Sequence, residues 1–364
     1  MSFSMKPYQA PDFSDPALKN APDASMAKVT LAGVAPDGYH SMGIDPEYFK
    51  VEGRWVLADE SRMDCVPVWR GDHIEVVEFR RLLPGDLVFT GRTEDASQGI
   101  YVHRTGFLSD HQKYDGFGFR NSRSRETGFT RDYQELAELL RYEKAHGGSV
   151  VWVMGPAFAF DAGARAHFGQ LIENGYVQAV LAGNALATHD LEGAYLHTAL
   201  GADIETQECL PNGHYHHLDV INKARSYGSI ERFVEGEHLE GGIMCNLVKH
   251  KVPYVLVGSV RDDGPLPGVF PSVYDGQDAM RSHIRKATTV IGMATVLHTI
   301  ATGNMTPSYR VLPDGTVRPV YFYSVDVSEF AVNKLSDRGS LLARGIVANV
   351  QDFVAQLCHE LGLE

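Results

Sequence analysis

The sequence predicts an α/β protein in which a parallel sheet is flanked by helices and preceded by a smaller β-rich domain. Two observations carry this. From Ser149 onward, short continuous apolar runs alternate with stretches of helical periodicity. That is the pattern of βαβ units whose strands are buried on both faces. Ahead of that region the apolar runs are short, rich in β-branched and aromatic residues, and separated by turn residues. No long helical period interrupts them.

Along the chain, residues 1–37 are rich in Pro, Ala and Asp and are expected to form an extended arm on the body or on another subunit. Residues 38–128 form the β-rich domain. Strands are expected at Arg54–Ala58, His73–Phe79 and Asp86–Thr90, divided by Arg70-Gly71-Asp72 and Pro84-Gly85-Asp86. Residues 129–364 form the α/β domain. It opens on a helix over Thr130–His146, with Tyr133, Leu136, Ala137 and Leu140 on one face and Gly147-Gly148 at its end. Buried strands are expected at Ser149–Met154, Tyr176–Ala182, Pro253–Ser259, Thr288–Met293 and Pro319–Val325. A helix carrying Ala164, Phe168, Leu171 and Ile172 on one face follows the first. A helix carrying Val350, Phe353, Val354 and Leu357 closes the chain.

Composition narrows the function. In 364 residues, 44% are hydrophobic and 22% charged, which suits a globular chain with a large core. A net charge of −13 argues against nucleic acid and against an anionic membrane surface as partners. The cysteines Cys65, Cys209, Cys245 and Cys358 show no C-x-x-C spacing and are expected as reduced thiols. Met1–Asn20 carries no apolar leader run and no stretch is long enough to span a bilayer, so the expected compartment is the cytoplasm.

A parallel sheet binds ligands at the carboxyl ends of its strands, so the residues just after each run are the candidates. Gly155-Pro156-Ala157 lacks the G-x-G-x-x-G pattern and reads either as a nucleotide turn or as an ordinary strand-to-helix turn. Gly183-Asn184-Ala185 allows close backbone approach, with an amide that both donates and accepts; the alternative is a capping turn. Arg261-Asp262-Asp263-Gly264-Pro265 follows a buried strand directly. Arg261 suits a carboxylate, and the adjacent Asp262 and Asp263 raise each other's pKa, which suits one to proton transfer. Otherwise the segment is a charged surface turn. His298 reads as a ligand contact or a satisfied core histidine. Asp326, ending the last run, suits a ribose diol and repels a 2′-phosphate. Gly213-His214-Tyr215-His216-His217 crowds histidines, but no Cys or carboxylate sits at ligand spacing, so no metal is expected there.

Taken together, these segments resemble the archaeal-type ornithine cyclodeaminase family, which shares a conserved region with lysine-ketoglutarate reductase/saccharopine dehydrogenase. The resemblance rests on L-A-G-N-A-L-A-T-H-D (181–190), G-H-Y-H-H-L (213–218), G-S-I-E (228–231) and V-R-D-D-G-P-L-P (260–267). It continues through Q-D-A-M-R (277–281), A-T-V-L-H-T-I-A-T-G-N (294–304), V-D-V (325–327) and D-R-G-S (337–340), with F-G-F (117–119) a looser match. It implies a modified Rossmann-like, deoxyhypusine-synthase-like domain that holds NAD, in a homo-oligomer (dimer or tetramer). The implied reaction turns the diamino acid L-ornithine into L-proline and ammonia through an imine, with NAD regenerated in the site. NAD contacts are then expected at Asn184, Ala185, Asp262, Thr295, Val296, Leu297, His298 and Asp326. For the chemistry, the residues themselves suggest Asp263 as base, Arg261 as carboxylate anchor and His217 as acid.

The chain departs from the family at Ala157–Gly163, at Asn121–Gly128 and in an added loop from Tyr309 to Arg318. These departures are expected near the substrate. They keep open an NAD-dependent dehydrogenase acting on an opine- or saccharopine-like secondary amine; a ligand sensor on the same fold is a separate alternative.

Overall fold

The computed structural model describes residues 3–107, 130–260, 262, 264–336 and 341–363. Its first part comprises α1 (Pro16–Lys19), β1 (Ser25–Lys28), β2 (Glu47–Val51), β3 (Arg54–Leu57), β4 (Cys65–Trp69), β5 (Ile74–Glu78), β6 (Leu87–Thr90) and β7 (Ile100–Val102). These strands make two antiparallel sheets, ordered β1-β6-β4-β5 and β3-β2-β7. Phe49, Ile74, Val76, Phe89 and Ile100 pack together as one core of this part, with the Phe49 and Phe89 rings 4.6 Å apart. The N-terminal segment lies on this body. Lys50 Nζ donates to the carbonyls of Lys19 and Ala21, and β1 adds a strand to the sheet beside β6.

The α/β part begins with α2 (Thr130–Ala145). It continues through β8 (Val150–Met154), α3 (Ala162–Glu173), β9 (Ala179–Gly183) and α4 (Asn184–Leu196). The short strands β10 (Thr198–Ala199) and β11 (Ala202–Asp203) form a small hairpin. Next come α5 (His216–Tyr227), α6 (Ile230–Gly236), α7 (Gly242–Lys249), β12 (Tyr254–Val257), α8 (Val273–Ile284), β13 (Thr289–Met293) and α9 (Val296–Met305). The chain closes with β14 (Tyr309–Val311), β15 (Val317–Pro319), β16 (Tyr321–Asp326), α10 (Glu329–Ser336), β17 (Leu342–Val347) and α11 (Val350–Leu361).

One six-stranded sheet, ordered β12-β9-β8-β13-β16-β17, is parallel throughout. Numbered along the chain, that is the 3-2-1-4-5-6 order of dinucleotide-binding folds. Its central strands are apolar runs because helices cover both faces. Trp152 and Val180 pack toward one helical layer with Phe168, while Val151, Val153 and Leu181 pack toward the other with Met280 and Ile284.

The two parts meet along α8 and the β14–β15 hairpin. Arg80 and Arg81 pair with Asp278, and Arg281 pairs with Glu78. Here the structure corrects one expectation. Tyr309–Arg318 is not a loop near the substrate but this hairpin, which precedes β16 and so lies at the sheet's N-terminal end. The Tyr309 hydroxyl, fully buried, donates to the Ala58 carbonyl at 2.9 Å, and the Val311 N–H donates to the Asp59 carbonyl at 3.0 Å. The added residues join the two parts and leave the ligand edge untouched.

Candidate functional site

Strand register sets the C-terminal edge. Val257 pairs with Gly183, Ala182 with Met154, Met154 with Met293, and Met293 with Val325. Residues just beyond these pairs therefore stand along one edge, in the order Asp262, Asn184 with Ala185, Gly155, Thr295 to His298, and Asp326. The connections leave β8 and β13 in opposite directions, which opens a crevice between them. Gly155 sits at that point. A Cβ on it would lie 1.9 Å from the Ala294 carbonyl oxygen, and its N–H donates to the Met293 carbonyl at 2.9 Å.

Two helices start at this edge with no side-chain cap among the described residues: α4, after Gly183, and α9, after Thr295. Their neighbours differ. Asp161, Ser229, Ser272 and Asn349 cap α3, α6, α8 and α11 with their own side chains. Uncapped amides at a helix start hold phosphate oxygens well. The edge thus has the donor set a dinucleotide needs, without a G-x-G-x-x-G turn.

The remaining expected cofactor residues behave individually. Buried Asn184 spends its side-chain oxygen on the Leu266 N–H at 2.9 Å, tying the start of α4 to the loop after β12. Asp262 accepts from the Ser259 N–H at 2.7 Å and Asp326 from the Ser328 N–H at 2.9 Å. Both carboxylates are therefore aimed by their own turns. The His298 ring lies over Gly183, where a Cβ would come within 3.1 Å of its Cε1. Burial pushes its pKa below the ordinary histidine value, which favours an uncharged ring. Val296 and Leu297 are exposed in the first turn of α9.

Beside the edge, between α4, α5 and the loop after β12, opens a cavity of about 530 Å³. Ala185, Thr188 and His189 line it from one face of α4, as helical spacing requires. His217 and Arg225 line it from α5, and Asp262 and Gly264 complete the wall. The Thr188 hydroxyl, on a residue 3% exposed, has no hydrogen-bond partner among the described residues. Arg225 donates Nε to the Pro265 carbonyl at 3.1 Å, and its guanidinium lies against Gly264.

Of the expected catalytic residues, His217 borders this cavity, whereas Arg261 and Asp263 lie outside the described residues, as do Phe117–Phe119, Asn121–Gly128 and Asp337–Ser340. The histidine cluster disperses. His214 is exposed against Tyr215, His216 Nδ1 meets the Thr198 hydroxyl at 2.9 Å, and His217 faces the cavity. Among the described residues no group of three or more His, Cys, Asp or Glu is placed to hold a metal.

Sequence reasoning passed over His189, Glu192 and Arg225. The available signal was H-x-x-E on a helix that starts at a strand end, since i and i+3 share a face. The departure at Ala157–Gly163 does reach the cavity, because the Phe160 ring meets the His189 ring edge-on at 5.4 Å.

Fold and edge together define a Rossmann-type α/β protein with a polar cavity beside its ligand edge. The family described as arginine dihydrolase ArgZ-like, C-terminal, Rossmann fold matches residues 134–357. The ornithine cyclodeaminase of Methanopyrus kandleri is 38% identical over 339 residues, covering 90% of this chain and 76% of that protein. A conserved LOR/SDH protein of Methanococcus maripaludis has a crystal structure that superimposes with a TM-score of 0.83 at 34% identity, covering 94% of this chain and 98% of that one. The ternary complex of AgrE with ornithine and NAD⁺ gives a TM-score of 0.59 at 32% identity, covering 94% of this chain and 46% of AgrE. The chain belongs to the archaeal-type ornithine cyclodeaminase family, whose Rossmann-fold part recurs in ArgZ-like arginine dihydrolases. Among the described residues no helix is long and apolar enough to cross a membrane.

Proposed function

We propose that this chain is an NAD-dependent cyclodeaminase that converts L-ornithine into L-proline and ammonia. One observation carries the reading: the expected cofactor positions fall on a single sheet edge, beside a cavity that combines a cation, a carboxylate and imidazoles. The likeness to AgrE, solved with ornithine and NAD⁺, supports both ligands.

Bound NAD supplies a hydride acceptor that is restored before product leaves, so ring closure carries no net redox change. In this reading the amides of Asn184 and Ala185 and of Val296, Leu297 and His298 take the pyrophosphate. Asp326 takes a ribose diol, and Thr295 and Asp262 flank the crevice. Asp263 takes an ammonium proton, Arg261 pairs with the α-carboxylate, and His217 gives a proton to departing ammonia. Arg225, which reaches the same cavity wall, is a second cation for the carboxylate. The reading carries with it a homo-oligomer, dimer or tetramer, working in the cytoplasm. Val260, Leu297, Val327 and Phe330, exposed on segments that follow the strand ends, supply apolar surface for such contacts.

Mass spectrometry of L-ornithine incubated with the protein and NAD tests the reaction. Proline and ammonia in equal amounts, with no rise in NADH absorbance, is the expected result. NADH accumulating with product would show an ordinary amine dehydrogenase instead. For the cofactor, Asp326→Ala should weaken NAD binding at least tenfold in a calorimetric titration, and an unchanged affinity would remove Asp326 from the site.

A further inference from the structure

We infer that His189, held in place by Glu192, is the residue that carries the proton between the two amines of the substrate. This assignment rests on the proposed cyclodeaminase reading and names a catalytic group for it.

The argument starts from Glu192. It is fully buried on the inner side of α4, and its carboxylate collects an unusual set of donors. Oε1 accepts from the Thr198 hydroxyl at 2.9 Å and from the Gly201 N–H at 2.9 Å. Oε2 accepts from the Leu200 N–H at 3.2 Å and from His189 Nδ1 at 2.9 Å. The chain reverses tightly to bring these donors in: His197 and Leu200 have φ of 57° and 53°. Burial alone would raise this carboxyl's pKa, but the bonds from His189, Gly201 and Thr198 outweigh it and hold the group below its ordinary value. Glu192 is therefore ionised and only accepts.

That fixes its partners. The single hydroxyl proton of Thr198 goes to Glu192, so the same oxygen accepts from His216 Nδ1–H at 2.9 Å. His189 likewise donates through Nδ1–H, which leaves Nε2 as the ring nitrogen not engaged by Glu192. The His189 side chain is 12% exposed and lines the cavity. The edge-on Phe160 ring restrains it from one side, and the His217 ring lies 6.2 Å away. Thr188, one residue earlier on the same helix, lines the same space.

A base fixed by a buried carboxylate is the arrangement that general acid–base chemistry requires. Among the described residues nothing hydrogen-bonds the His217 ring, so the proton transfer to departing ammonia assigned above to His217 passes to His189, and Asp263 is left the α-ammonium proton lost before the hydride. In the proposed reaction the side-chain ammonium loses one proton to His189 Nε2, the freed amine attacks the α-imine carbon to close the ring, and the α-nitrogen takes that proton from His189. The ring nitrogen, now a secondary ammonium, gives a second proton to His189 and so recovers its lone pair. The bond from the carbon to the α-nitrogen then breaks, its electron pair leaving with the nitrogen, as the ring nitrogen's pair forms the new C=N bond. The α-nitrogen takes the second proton from His189 and departs as ammonia. Two protons have moved between the two nitrogens, one at a time, and His189 ends as it began.

The test compares wild type, His189→Gln and His189→Ala, all loaded with NAD. Gln keeps a donor for Glu192 but cannot carry a proton. Calorimetry should show L-ornithine affinity within threefold of wild type for His189→Gln, while kcat for proline formation falls at least a hundredfold. Added imidazole should restore part of the rate to His189→Ala. If His189→Gln keeps more than a tenth of wild-type kcat, or its rate falls only in step with its ornithine affinity, His189 is structural and the assignment is overturned. A wild-type protein that yields no proline overturns the underlying reaction and the assignment with it, whereas an active wild type with an active variant overturns the assignment alone.

Discussion

Asp190→Ala should destabilise the fold by about 3–5 kcal/mol, the cost of breaking a buried ion pair from one side. Asp190 is fully buried one residue after His189. Its carboxylate accepts from Arg165 Nε at 2.7 Å, from the Ile243 N–H at 2.9 Å and from the Met244 N–H at 2.7 Å. Arg165 Nη2 also donates to the Asp190 carbonyl at 2.7 Å. One side chain thus neutralises a buried guanidinium from α3 and caps α7. Truncation leaves both uncompensated, and the surroundings cannot relax toward the cation. A Cβ on Gly242 would lie 2.3 Å from Arg165 Nη2, and one on Gly193 would lie 2.6 Å from Nη1. Urea unfolding should show the loss as a lower midpoint at unchanged slope. The double change Arg165→Met with Asp190→Leu should recover much of it, because the charge is then gone. A loss below about 1 kcal/mol for Asp190→Ala, the size of an exposed pair, would contradict this account. The pair also matters for function, since it sets the rotation of α4 that turns Ala185, Thr188 and His189 toward the cavity.

Gly155→Ala should weaken NAD binding by at least a hundredfold. The reason is space and not backbone freedom, because Gly155 has φ of −91°, which any residue adopts. Its missing Cβ is what lets the turn after β8 rest on the Ala294 carbonyl, 1.9 Å from where that atom would stand. The neighbour is backbone, and Ala294 already has φ of 51°, so it has little room to yield. Adding a methyl must part the ends of β8 and β13, where the crevice forms and the uncapped start of α9 faces the edge. Calorimetric NAD titration of the variant checks this, with circular dichroism to show that the sheet persists. NAD affinity within threefold of wild type would mean that the cofactor does not use the crevice.

Much of this molecule was legible because its signals are local. The run V-V-W-V-M of β8 is apolar at every position because both faces are covered, and V-I-G-M of β13 is the same. The helix of α11 announces itself through Val350, Phe353, Val354 and Leu357. Strand β17 was not legible. Its L-A-R-G-I-V is an edge strand, half-exposed along most of its length, and tolerates an Arg and a Gly that a central strand would not. In the β-rich part, β4 carries a buried Pro67, and β2 carries Glu47 and Lys50, buried because His40, the Gly43 N–H and the Lys19 and Ala21 carbonyls satisfy them. No pattern within a short window reports such partners.

The candidate site divides along the same line. The sequence by itself determined that Asn184, Thr295 to His298 and Asp326 end strands or start helices, because strand length and turn residues are short-range properties. It also determined, by family likeness, what chemistry to expect there. Only the tertiary structure decided that these residues share one edge, since strand order depends on crossovers spanning dozens of residues. The contact of His189 with Glu192 is local, but the donors that fix Glu192 need the reversal at His197–Gly201, and Arg225 reaches the loop after β12 from another helix. A side chain's role is set by what packs against it. For these residues, packing joins parts of the chain that no local pattern connects.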